Sequence, residues 1–452
     1  MFSMTDLLKN AINQIDNLND YFVNQYDYVL KRVNKNKDKY KYGILLDKFF
    51  YNQMNPETTV DFSSEEESIV KELLADYNIK EDENNSDTIQ VSYKLNESFD
   101  KEGFETDPIK AREALISLFQ QPDFLSESVL MMLLIKYEDS ISRLYRYVIE
   151  KHPQAFLSKK SITYSDLLSM KSDIEEIKKR FVDDEIDAIM REPIDDWYSS
   201  FNSKQKATFL FEDNLFDDFK EIYYRRNLVV HNQGIVNDIY LSYVKNTKAE
   251  KGQKLFVDRK YLDRAFSLTS LMLVDTFFGL RKIADDKNEL VEWIINSYGF
   301  KCLQEKKWEM AKYLYKVVLQ DESILSADLI VAKINYMIAI KNIDGVDAIR
   351  DEVNNLDVSA LKLTFVAAKS ALLNEYEQVS DILDKCLEKN EIDSPSIKTW
   401  PLFNEFRESD EYIQFVERHK EEFDFGEYTA PTDDEASILK DAEQGHSGII
   451  AN

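Results

Sequence analysis

The residues best suited to chemistry lie in one stretch, Glu221 to Tyr240, where an arginine, an amide and a histidine follow closely. Arg226 carries a guanidinium, which can hold a phosphate through two parallel hydrogen bonds. Histidine is the side chain whose unperturbed pKa allows both acid and base roles near pH 7, so His231 is the candidate for proton transfer. Asn227 lies four residues before His231, so on a helix its carboxamide would face the imidazole and fix the tautomer. These side chains suit cleavage of RNA by its own 2′-hydroxyl, which needs a base and a charge stabiliser but no metal.

Arg226 also interrupts an apolar pattern. At about 100° per residue, one side of the predicted helix carries Phe219, Tyr223, Arg226 and Val230. A guanidinium at a core position costs free energy unless it is paired or faces a cleft, and such breaks in the pattern tend to mark function. The alternative is a structural ion pair, with Glu138 or Asp139 on the first bundle helix as the acidic partner.

The extended string around this arginine resembles a known family. Arg226, the polar Asn227 directly after it and His231 fit the signature of the HEPN superfamily. The string also resembles the subset of that family found in bacterial defence and toxin proteins, through Arg225, Asn232, Gly234, Ile235, Val236 and Asn237. The resemblance spans residues of about 110 to 285.

The HEPN resemblance implies a four-helix bundle that dimerises, so that the motifs of two protomers face each other and form one composite ribonuclease site. The second chain would supply a second histidine, which is needed to protonate the leaving 5′-oxygen. Arg226 would then stabilise the phosphate and His231 would carry protons, with Asn227 orienting the imidazole. We expect supporting roles for Arg225, Glu221, Asn232 and Glu138.

A cationic segment follows the motif and could guide RNA toward it. Residues 241–264 hold seven basic and three acidic side chains, a local net charge of +4, and we interpret this segment as an RNA-binding rim. The rim lysines are Lys245, Lys248, Lys251 and Lys254. A lysine-rich surface loop has the same composition and is the alternative. The other histidines, His152, His419 and His446, are expected to be plain surface residues.

The composition excludes several classes of protein. The 452 residues include only 10 Gly and 8 Pro, too few turn-formers for a strand-rich fold, and the net charge of −27 argues against a histone-like nucleic-acid binder. Cys302 and Cys386 stand alone, and the four histidines form no HxH or HExxH pattern, so we expect neither a disulfide framework nor a metal site, and no cofactor. With no apolar segment of membrane-spanning length, a soluble cytoplasmic protein is expected.

The sequence predicts an all-α protein in four parts. Residues 1–107 form an N-terminal accessory region with one half-buried strand at Ile89 to Leu95, and residues 108–286 form the HEPN-like bundle, whose central helix runs from Asp263 to Leu280. Residues 287–425 resemble tetratricopeptide repeats, because a triplet of apolar positions recurs 35 and then 33 residues later. These positions are Ala311, Leu314 and Val318, then Val346, Ile349 and Val353, then Val379, Ile382 and Cys386. An acidic, disordered tail is expected at 426–452.

The resemblance thus implies a metal-independent endoribonuclease that acts as a toxin or antiviral-defence (abortive infection) effector, with RNA as substrate and a homodimer as the active form. The repeats would receive a regulatory protein or a phage-derived trigger. The alternative is a catalytically silent HEPN scaffold that dimerises through the bundle and recruits a protein partner through the repeats. An intact set of Arg226, Asn227 and His231 favours the enzyme.

Overall fold

The computed structural model describes residues 3–423, except 58, 82–88, 97–103, 170–172, 206–208, 210–212, 246, 282, 284–288, 322, 323 and 325. The tail predicted at 426–452, with His446, lies outside the described residues. The described chain is mostly helical, with one two-stranded sheet, so the all-α prediction is confirmed at this level. In the same part of the chain no helix is long and apolar enough to cross a bilayer.

The chain divides into two compact units, Met1–Leu290 and Val291–Asn452. The domain boundaries predicted at 107, 286 and 425 stay predictions. The helices of the first unit are α1 (Met4–Lys37), α2 (Lys41–Met54), α3 (Ser64–Leu73), α4 (Pro108–Lys151), α5 (Pro153–Leu157), α6 (Tyr164–Ser169), α7 (Ile174–Met190), α8 (Ile194–Gln205), α9 (Asp213–Asn232), α10 (Asp238–Tyr243) and α11 (Arg259–Leu280).

The long helix α4 is the element on which the first unit is built. Asp107 caps its first turn by accepting hydrogen bonds from the backbone of Ile109 and Lys110, and Pro108 starts the helix with its fixed φ. α1, α2, α7, α9 and α11 all pack against α4.

Helix α11, which includes the stretch predicted as the central bundle helix, is deeply buried in this unit. Every residue from Leu268 to Phe278 is buried, because α11 packs against α1, α4 and α9 together. A helix that is apolar on all sides needs such neighbours on all sides. Its first turn is capped by Asp258, whose carboxylate accepts a hydrogen bond of 2.7 Å from the backbone of Tyr261.

The predicted strand is confirmed and has a partner that the sequence analysis missed. β2 (Ile89–Leu95) pairs antiparallel with β1 (Leu74–Glu81). The alternate residues of β2 pack on a small apolar cluster from α2 and α3, which explains the two-residue period.

The second unit is an array of shorter helices. α12 (Glu289–Trp293) crosses the unit boundary and continues in a π-helical turn at Ile294–Tyr298. The rest are α13 (Gly299–Gln304), α14 (Trp308–Leu319), α15 (Ser326–Asp344), α16 (Arg350–Asn354), α17 (Leu363–Leu372), α18 (Tyr376–Glu388), α19 (Ser394–Thr399), α20 (Asp410–Arg418) and α21 (Lys420–Phe423). Of the nine recurring apolar positions, seven are buried and two, Val346 and Ile382, are half-buried. The tetratricopeptide-like register stays a prediction.

Candidate functional site

The helix that carries the motif, α9, ends at a tight backbone turn. Gln233 and Gly234 both have positive φ, 52° and 76°, and the Gly234 amide donates a 3.0 Å hydrogen bond to the Leu228 carbonyl, a helix-ending arrangement that glycine favours. The predicted supporting residue Asn232 secures this turn, because its side-chain amide donates a 2.6 Å hydrogen bond to the Ile235 carbonyl. The chain then returns, so that Ile235 pairs with Lys254 in an isolated bridge.

The apolar stripe predicted on α9 is correct over its first three positions and wrong at the fourth. Phe219 is fully buried against the Tyr137 ring, at 4.7 Å between ring centres. Tyr223 and Arg226 are half-buried. Val230 is 47% exposed. Another side of the helix is buried instead, at Tyr224, on which Tyr243 stacks, and at Leu228.

Arg226 forms an ion pair with Glu138 of α4, from its Nη2 atom to Oε1. The guanidinium also lies over the Tyr223 ring, 4.9 Å from its centre. Its Nε atom is buried and has no hydrogen-bond partner in the described part of the chain. Glu138 is therefore the acidic partner rather than Asp139, which pairs with Arg143 at 2.8 Å. Burial, with the Glu138 charge second, raises the pKa of Tyr223.

His231 and Asn227 do not join this ion pair within one chain. His231 is exposed and Asn227 half-exposed on α9, and neither side chain has a hydrogen-bond partner among the described residues. The predicted hydrogen bond between them is therefore absent. Five helical residues turn the chain by about 500°, so Arg226 and His231 point about 140° apart, one toward α4 and one toward solvent.

The preceding arginine has a different set of contacts. Arg225 donates to Glu221 at 2.7 and 2.8 Å and to the Phe256 carbonyl at 3.0 Å. Glu221 also accepts hydrogen bonds from the hydroxyls of Tyr240, at 2.8 Å, and Tyr261, at 2.9 Å. These predicted supporting residues thus fasten the segment after the motif to α9. Burial, with the Glu221 charge second, raises the pKa of Tyr240 to about 12.

The rim lysines separate into two pairs. Lys245 and Lys248 line a pocket of about 290 Å³ beside Glu221 and Arg225. Lys251 instead forms an ion pair with Asp238 at 2.5 Å, and the Lys254 ammonium lies over the Phe256 ring at 5.3 Å. The structure therefore brings only the first pair together with the supporting residues.

Two of the other histidines differ from the expectation of plain surface residues, which was wrong for both. His152 is half-buried, with Nε2 at 2.5 Å from the Ile283 carbonyl. His419 is half-buried, with Nε2 at 2.7 Å from Asp384. Each sits where a helix ends, and local packing decides its burial.

Four tyrosines that complete the site were not among the predicted site residues: Tyr223, Tyr240, Tyr243 and Tyr261. A usable signal existed for Tyr240, which closes the motif string. Within the described residues, no group of three or more His, Cys, Asp or Glu side chains converges to hold a metal ion.

Comparison with known proteins gives no family for this chain: no family model, no curated protein and no solved structure matches it.

Proposed function

We propose that the chain is a metal-independent endoribonuclease of the HEPN kind, whose site is completed by a second copy of the chain. The observation that carries the proposal is the half-buried guanidinium of Arg226 on the same helix as the exposed His231. Glu138 engages only the Nη2 atom of that guanidinium, which has five N–H donors in total. Donors therefore remain to hold a phosphate.

The reaction needs two proton transfers. One His231 takes the proton of the substrate's 2′-hydroxyl, and the resulting oxygen attacks the adjacent phosphorus. The bond from phosphorus to the 5′-oxygen breaks, and a second, protonated His231 donates its proton to that oxygen. Arg226 stabilises the charge that builds on the phosphate oxygens. The products are a 2′,3′-cyclic phosphate and a 5′-hydroxyl.

Two chains are required because one chain offers one histidine on α9, pointing away from Arg226. Exposed apolar side chains lie close to the motif and would support pairing. Val230 is one turn beyond Arg226 and 47% exposed, and Ile135 is one turn before Glu138 and 56% exposed. Light scattering should give about twice the 53.0 kDa chain mass, and a strictly monomeric protein that still cuts RNA would contradict the composite site.

The silent scaffold is the second candidate, and the ion pair of Arg226 with Glu138 is the observation that favours it. In that case the arginine only joins α9 to α4. In either case, we propose that the helical array after residue 290 receives the regulatory protein or phage-derived trigger that controls a toxin or defence effector.

The deciding experiment incubates the purified chain with total cellular RNA in EDTA and maps the cut ends. We expect cleavage that leaves 2′,3′-cyclic phosphates, is lost in His231→Ala and is retained in His419→Ala, a histidine outside the motif. Mixing Arg226→Ala chains with His231→Ala chains should not restore activity, because each mixed dimer keeps only one of the two His231 side chains that the two proton transfers need. Products with 5′-phosphates, or loss of activity in EDTA, would refute the proposal.

A further inference from the structure

The pocket beside Glu221 and Arg225 has the charge of an anion site. Its three acidic side chains already have cationic partners: Asp217 pairs with Lys220 at 2.9 Å, Asp218 with Arg264 at 2.5 Å and Glu221 with Arg225 at 2.7 Å. Lys245 and Lys248 also line the pocket, and neither has an ion-pair partner within the described residues. Lys220 is shared with Asp195, at 3.2 Å, and does not line the pocket. The four basic and three acidic lining side chains therefore give a net charge of +1, with the ammonium groups of Lys245 and Lys248 left to attract an anion.

The same pocket has an aromatic wall. Tyr243 lines it and is 38% exposed, while Tyr224 stacks on its ring at 4.4 Å with an angle of 12° between the planes. A ring supported from behind is held in place for a planar ligand. Thr247 also lines the pocket, and its hydroxyl accepts a 3.1 Å hydrogen bond from the Ala249 backbone, which joins the residues on either side of Lys248.

We infer that this pocket binds one nucleotide, with its phosphate between Lys245 and Lys248 and its base on Tyr243. The volume of about 290 Å³ suits a single nucleotide unit rather than a duplex. The nucleotide could belong to a single-stranded RNA or be free, since both present the same phosphate and base. Binding of RNA in this pocket rests on the proposed ribonuclease function, whereas binding of a free nucleotide does not.

The test measures binding by the His231→Ala chain, which leaves RNA uncut. The probes are a fluorescein-labelled single-stranded 12-mer RNA, followed by anisotropy, and adenosine 5′-monophosphate, followed by calorimetry. We expect Lys245→Gln with Lys248→Gln to weaken RNA binding about tenfold. The same double variant should reduce the slope of log K against log salt by about 0.7, because one phosphate of a single strand is no longer neutralised. The matched double variant, Lys178→Gln with Lys179→Gln on α7, should bind normally.

The tyrosine variants separate stacking from folding. Tyr243→Leu should weaken binding by about 5- to 150-fold, the range for a lost base stack. Tyr243→Phe, which keeps the ring, should bind normally. The double variant Lys251→Gln with Lys254→Gln tests whether any two rim lysines bind RNA equally well. We expect it to lose less RNA affinity than Lys245→Gln with Lys248→Gln.

The outcomes keep the two proposals apart. The pocket proposal would be refuted if the two lysine double variants weakened RNA binding equally, or if Tyr243→Leu left it unchanged. Either result would leave the ribonuclease proposal standing. Binding of the mononucleotide without RNA would support the pocket and count against the ribonuclease. Binding of neither probe would overturn the pocket, and the cleavage assay in EDTA would still decide the activity.

Discussion

The ion pair of Arg226 with Glu138 allows catalytic and structural roles to be separated. The two side chains are 17% and 28% exposed, so solvent screens them only in part. Their direct attraction is about 4 kcal/mol, but most of it is offset by desolvation. We therefore expect Arg226→Ala and Glu138→Gln each to lower the local stability by about 1–3 kcal/mol, the range for a charged hydrogen bond. The stability loss of the double variant should be smaller, by about 1 kcal/mol, than the sum of the two single losses.

Stability and turnover should respond differently. Arg226→Ala should lower the cleavage rate by about 10² to 10³, the scale of a lost charge stabiliser, and Arg226→Lys should recover little of it because an ammonium cannot make the bidentate contact. Glu138→Gln should lower the rate by less than about tenfold, since Glu138 holds the arginine but does not touch the phosphate.

Hydrogen exchange of α4 and α9 peptides measures the local stability, which suits a chain of two compact units. Cleavage rates are then compared at a temperature where every variant is folded. Arg143→Ala is the matched control: its pair with Asp139 lies on α4 but is 60% and 45% exposed, so it should change stability by about 0–1 kcal/mol. Equal rate losses in Arg226→Ala and Glu138→Gln would refute the catalytic role and favour the structural ion pair.

Three further outcomes are expected. Gly234→Ala should destabilise the turn after α9 by about 1–3 kcal/mol, because φ is 76° and an added Cβ would lie 2.9 Å from the Leu255 carbonyl; exchange of peptides in 234–256 measures this, and unchanged exchange would contradict it. The pKa of Tyr240 is raised to about 12, so the protonated hydroxyl contributes to folding stability below about pH 10, and this contribution is lost as the pH rises through 12. In alkaline unfolding followed by circular dichroism, Tyr240→Phe should lose less stability than the parent chain between these two pH values. A 2′-deoxy nucleotide at the cut should block cleavage in a gel assay, and a cut there would exclude 2′-hydroxyl attack.

The helices were predictable where the apolar period was long. The central helix, the strand at Ile89 to Leu95 and the buried recurring positions of the array all follow from local periodicity. The partner strand β1 was missed because strand pairing is a contact between two segments, whereas the two-residue period describes one segment alone.

The candidate site was predictable as a set of residues but not as a geometry. The sequence offered Glu138 or Asp139 as the partner of Arg226, and the structure has the pair with Glu138. It placed Val230 on the buried stripe, but the side of α9 that is covered near its end depends on where Tyr243 stacks. Asn227 and His231 have the spacing for a hydrogen bond, yet exposed side chains keep their rotamer freedom unless further contacts hold them.

The doubled arginine gains a physical explanation from its contacts. Adjacent residues on a helix point about 100° apart, so the two guanidinium groups serve different neighbours. Arg225 is held by Glu221 and the Phe256 carbonyl and stacks on Tyr261 at 4.5 Å. It thereby fastens Phe256 and Tyr261 to α9, and Tyr261 lines the pocket with the two lysines.

Arg226 instead meets α4, keeps an unpartnered Nε among the described residues and lies on the same helix as His231. A scaffold would use Arg226 only to join α9 to α4, a contact that Arg225 does not make, because Arg225 binds the segment that follows α9. Arg226 places a positive charge at a position where burial costs desolvation free energy. A leucine would pack there at a lower cost. That cost is accounted for if Arg226 holds a phosphate, and this is the physical ground for preferring the enzyme to the scaffold.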